Sequence, residues 1–273
     1  MKVIRMSMPT TPELADSSAD QQEPGGRMSF FEHLADLRTR LFHACGAIAI
    51  GAFVGVGVAK YIMNYFARPM TNALHNAGLK PQLIVTHPIG YLDTYITMGL
   101  YFGIVLAMPY VLYQVWLFIA PGLYKHERNA VAGFVTSAFL LFLGGLAFSY
   151  YVILPYLLKF LVTFTSGDQF TPLISQDEYF PFLFKVLFGV GIVFELPVLV
   201  FLLALFNIVT PQFLWKHFKY AILVIAIAAA IITPTPDAMT MLIFMVPMII
   251  LYLAGIGVAW MVVRKKRAAA FGK

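Results

Sequence analysis

Uncharged runs dominate this chain: Leu41 to Ala59, Thr94 to Tyr124, Asn129 to Leu158, Val186 to Phe194 resuming beyond Glu195 to Trp215, Tyr220 to Pro236, and Ala238 to Val263. A helix that crosses a hydrocarbon core of about 30 Å needs about 20 residues, so the pattern predicts six transmembrane helices. They are expected near residues 41–66, 95–118, 131–163, 180–206, 216–233 and 239–263, with Pro109, Pro121 and Pro155 marking kinks or exits within the longest runs. The expected fold class is therefore all-α, a polytopic membrane protein. Its fifth and sixth spans are expected to be short, because only Tyr220 to Ile232 precede the Thr233-Pro234-Thr235-Pro236 break. At 1.5 Å per residue that stretch covers about 20 Å. Either loop groups dip into the membrane, or the bilayer thins there, or Trp215, His217 and Phe218 lengthen the helix. Ahead of the first span, Phe30, Phe31, Leu34, Leu37 and Leu41 form one stripe, and Glu32, Asp36 and Arg40 recur on the opposite face. That spacing predicts an amphipathic helix lying on the membrane surface before it turns into span one.

Composition agrees with this reading. Of 273 residues, 60% are hydrophobic and 12% charged, against about 25% charged in a soluble domain. The net charge of +6 does not point to nucleic acid, since the cations sit at the ends of apolar segments and form no basic face. They act as topology signals: Arg27, Arg38, Arg40, Lys125, Arg128, Lys216, Lys219 and the run Arg264-Lys265-Lys266-Arg267 fall on one side. Lys60, Arg68 and Lys80 fall on the other, with Lys159 and Lys185 near its helix ends, and the loop 165–179 holds only acids. Loops rich in Lys and Arg stay in the cytoplasm, so both termini are expected there. Residues 1–27 read as a disordered cytoplasmic tail, 28–263 as the membrane domain and 264–273 as a basic cytoplasmic tail. The single Cys45 excludes a disulfide framework within one chain.

The chemistry resides in a few polar groups. Asp36 either pairs with Arg40 one turn later or takes an incoming cation. Glu127, the one acid between spans two and three, follows Trp116-Leu117-Phe118-Ile119-Ala120-Pro121. It caps span three, pairs with a neighbouring cation, or accepts a guanidinium. Glu195 interrupts span four in Phe194-Glu195-Leu196-Pro197, and an intramembrane carboxylate is either functional or a packing device fixed by a neighbouring helix. Pro197 frees a backbone carbonyl beside it. Asp237, in the turn before span six, is read as a helix cap. The sequence has no zincin, nucleophile-elbow or phosphate-loop motif, and its six histidines lack metal-ligand spacing, so no enzyme and no cofactor are expected.

Four stretches carry a resemblance. They are His33-Leu34-x-Asp36-Leu37-Arg38-x-Arg40-Leu41; Pro109-x-x-Leu112-Tyr113-Gln114-Val115-Trp116-x-Phe118-Ile119-Ala120-Pro121-x-Leu123-Tyr124-Lys125-His126-Glu127-Arg128; Phe194-Glu195-Leu196-Pro197; and Thr233-Pro234-x-Pro236-Asp237 followed by Pro247. In this order they resemble the TatC family, the multispanning subunit of the twin-arginine protein translocase. The resemblance implies a receptor for twin-arginine signal peptides that works with single-span partners of the TatA and TatB type. Such a protein moves folded proteins across the bilayer at the expense of the proton-motive force, and assembly with further copies of itself is compatible with that role. It also implies that Asp36, Glu127 and Phe118, with Arg38 and Tyr124, read the arginines. Glu195, Pro197 and Tyr150 would meet partner helices, and Pro69 would lie with Asp237 in the outer loops. Asp36 is one methylene shorter than the glutamate common in the family, and Met241 and Leu253 stand where relatives carry Gln and Glu. The competing reading is a secondary transporter of a small ion or solute that uses Glu195, although neither inverted repeats nor paired broken helices are evident.

Overall fold

The computed structural model describes residues 30–119, 131–165, 172–233 and 237–271. Its first element, α1, runs unbroken over Phe30–Asn76. The predicted surface helix and span one are thus a single rod, and no turn separates them. The stretch Leu37 to Cys45 contains neither Gly nor Pro, so nothing interrupts the backbone ladder there. At 47 residues the rod is about 70 Å long and overshoots the hydrocarbon core at both ends. It stops at a left-handed Gly78 (φ 74°). There Leu79 N–H donates to Leu74 and Gly78 N–H to His75, a Schellman closure that satisfies the last carbonyls.

The chain then alternates direction. α2 (Gly90–Ile119) returns antiparallel to α1. α3 (Val131–Phe148), a π-helical turn (Ser149–Ile153) and α4 (Leu154–Thr165) make the third crossing. The π turn leads into Pro155, whose ring would crowd the Tyr151 carbonyl in an α register; Leu154 N–H instead reaches back to Ser149. α5 (Gln176–Val193) and α6 (Leu196–Leu205) form the fourth crossing, α7 (Pro211–Lys216) and α8 (Phe218–Ile232) the fifth, and α9 (Ala238–Phe271) the sixth. Five crossings are long enough to span, and α8 is the shorter apolar helix. His217 separates α7 from α8 and leaves α8 at 15 residues, about 22 Å. Shortness is confined to α8: α9 has 34 residues and carries the expected basic tail onward as helix, since Arg264 to Phe271 contains no breaker.

Small residues join α1 to α2. Any Cβ added at Gly55 would strike the Gly99 carbonyl, and one at Gly103 would strike Ala52, so only glycine permits the backbones to approach this closely. Tyr179, Phe184, Leu157, Met98 and Phe244 are buried in the main core, to which α1, α2, α4, α5, α8 and α9 contribute. Cys45 is exposed on α1, within an apolar stretch.

Candidate functional site

At the end of the bundle where α1 begins, Arg40 Nε donates to Asp36 Oδ2 at 2.8 Å, with both side chains 21% exposed. Arg38 lies over the Phe42 ring at 5.7 Å. Both are same-helix pairs one turn apart, worth a few tenths of a kcal/mol, so a stronger external ligand can displace either partner. Phe118 sits half-buried in the last turn of α2. Below it Trp116 is sealed against Phe134, with ring centroids 4.4 Å apart, and packs with Leu202 of α6. The glycine contacts set the register between the two helices: Gly51 faces Gly103 and Gly55 faces Gly99. Counted on in the same antiparallel offset, position 36 of α1 stands level with position 118 of α2. The structure therefore brings Asp36, Arg38 and Phe118 to one end of the α1–α2 pair. Glu127 and Tyr124 lie outside the described residues.

Glu195 occupies the break between α5 and α6. Its own N–H turns back to Ile192 at 3.0 Å, and its carbonyl accepts from Leu199 at 2.9 Å. Pro197 follows as the second residue of α6, where a missing N–H costs nothing. The Glu195 side chain is half-buried, and its Oε1 is shielded without a hydrogen-bond partner among the described residues.

Pro69 is not in an outer loop. It lies inside α1, where it removes the donor that would serve the Tyr65 carbonyl. Tyr150 supplies the replacement, its hydroxyl donating to Tyr65 O at 3.1 Å, and Tyr179 donates to Phe66 O at 2.8 Å. Tyr150 also stacks on the Tyr65 ring at 5.1 Å. Its described polar contact is thus with α1, and the structure does not join it to Glu195. Asp237 caps α9, accepting from Thr240 N at 2.8 Å.

One polar cluster escaped the sequence reading. Asp177, which reads as a loop acid, belongs to the first turn of α5 and accepts from Thr86 Oγ1 at 2.9 Å and Thr94 Oγ1 at 3.1 Å. Beside it Ile84 and Ser175 form a parallel bridge that ties the loop after α1 to the start of α5. The signal was present as Ser175-x-x-Glu178, the spacing of a capping box. No cluster of His, Cys, Asp or Glu fit to hold a metal occurs among the described residues.

Residues 32–247 match the family described as Sec-independent protein translocase protein (TatC). The chain belongs to the TatC family. It is 45% identical over 246 residues to the Sec-independent protein translocase protein TatC of Koribacter versatilis, with 90% of each chain covered. Against the protein of the same name from Carboxydothermus hydrogenoformans the identity is 35%, covering 85% of this chain and 93% of the relative. Two crystal structures of the twin-arginine translocase receptor TatC share the fold. One has a TM-score of 0.71 at 32% identity, over 85% of this chain and 99% of that one. The other, in detergent, has a TM-score of 0.73 at 33% identity. As a TatC-family member this chain is a multi-pass component of the Sec-independent protein translocase. These matches favour that role over the solute transporter.

Proposed function

We propose that the end of the molecule carrying Asp36 and Phe118 receives twin-arginine signal peptides from the cytoplasm, and that Glu127 completes the site. The observation that carries this reading is the α1–α2 register, which sets Asp36 level with Phe118, immediately before the segment that contains Glu127. Arginine offers a planar fork of donors to a carboxylate, and lysine offers a point charge, so two carboxylates beside an aromatic wall select arginine. Arg38 and Tyr124 border the site, and Arg40 holds Asp36 until the peptide displaces it. Both termini are cytoplasmic, because the cations gather at this end. Single-span partners of the TatA and TatB type dock through their own polar groups against Glu195, beside the kink that Pro197 fixes. The proton-motive force then drives folded cargo across the inner membrane. Support for Glu195 comes from its Oε1, which has no hydrogen-bond partner among the described residues and can accept one from a donor on an incoming helix.

The test is a photocrosslinker at position 118 in the translocating membrane, presented with a twin-arginine precursor and with its twin-lysine counterpart. Capture of the twin-arginine precursor alone is expected. Equal capture of both, or of neither, would show that this end does not read the guanidinium pair.

A further inference from the structure

At the end of the bundle opposite Asp36, the last turns of α1 and the length of α4 enclose a cavity of about 890 Å³. Arg68 and Lys159 line it together with Asn72 and Asn76, and no carboxylate does. Among the described residues neither cation forms an ion pair. Arg68 is held over the Tyr65 ring at 5.4 Å, and Tyr65 is itself clamped by the Tyr150 stack. The guanidinium is thus positioned, although exposed, with its charge unspent. The hydroxyls of Tyr65 and Tyr151 meet at 2.8 Å. A single hydrogen bond between two hydroxyls uses one proton, so the other remains available to a further acceptor. Cations, amides and a spare hydroxyl proton together make a site for an oxyanion.

Position decides which oxyanion. The charge-free run of α1 ends at Lys60, and Tyr61, Tyr65, Tyr151 and Tyr156 are all exposed near the same end. Tyrosines with this placement mark the level where hydrocarbon meets headgroups. Ala73, Ala77, Pro155 and Val162 give another part of the wall an apolar face, which suits a molecule that is anionic at one end and greasy at the other.

We propose that this cavity binds the phosphate headgroup of one anionic phospholipid, with Arg68 and Lys159 as its cations and its acyl chains leaving into the adjoining bilayer. Full-length protein in mild detergent, equilibrated with equal phosphatidylglycerol and phosphatidylcholine, tests this by native mass spectrometry. The expected result is preferential retention of one phosphatidylglycerol. Each cation near an anionic headgroup contributes about fivefold, so Arg68→Gln with Lys159→Gln should lower retention roughly thirtyfold. Lys60→Gln with Lys80→Gln, which removes two cations outside the cavity, should leave it unchanged, and so should millimolar inorganic phosphate. Retention that survives loss of Arg68 and Lys159, equal retention of the neutral lipid, or displacement by inorganic phosphate alone would each overturn the assignment.

Discussion

Tyr150 and Pro69 form a unit whose parts explain each other. The proline leaves the Tyr65 carbonyl without its helical donor, and the Tyr150 hydroxyl fills the vacancy at 3.1 Å. Tyr150→Phe should therefore cost about 1 kcal/mol, as expected for a lost hydrogen bond. Pro69→Ala restores the backbone donor, so the double variant should be less destabilised than the sum of the single changes. Thermal unfolding of the four proteins in one detergent gives the coupling, and strict additivity would dissociate the two residues. Glu195 gives an opposite expectation. A shielded carboxylate oxygen without a partner weighs against the fold, so Glu195→Leu should match or exceed the wild-type melting temperature while transport falls. Full transport by Glu195→Leu would remove this residue from partner docking.

Among the elements, the α1–α2 pair is the most exacting. Gly55→Ala should destabilise by about 1 to 3 kcal/mol, because its methyl meets backbone that cannot yield. Gly57→Ala, one turn-half away with open space around it, should gain up to about 1 kcal/mol from helix propensity. Melting temperatures that move in the same direction for both variants would contradict the close approach. The crossings themselves were legible, since a run of uncharged residues longer than the bilayer is thick has few alternatives. Where helices stop was not. Span one is expected to end near residue 66, with Pro69 in an outer loop, yet α1 continues through Arg68 and Pro69 because two tyrosines, one from α5 and one from the π turn, donate to the carbonyls just before the proline. Such partners lie 85 and 113 residues away along the chain, and no local pattern announces them. The same limit applied to the candidate sites. Asp36 could be singled out by its helical face, but its level with Phe118 depends on two glycine contacts between helices.

For the molecule as a whole, the even number of crossings returns the end of α9 to the side where α1 begins, and the excess of Lys and Arg in the sequence predicts that this side is cytoplasmic. A cysteine introduced at position 126 should be shielded from an impermeant maleimide added outside intact cells, and one at position 80 should react. The reverse pattern would invert the orientation. Cys45 carries another consequence. It is the chain's one thiol and is exposed on α1 within the apolar stretch, so each copy bears a single attachment point at one fixed depth in the lipid. A nitroxide placed there turns the native sequence into a molecular ruler. Dipolar spectroscopy would then read the spacing between copies directly, and a closed ring, a lone pair and isolated chains would each leave a different trace without a single substitution.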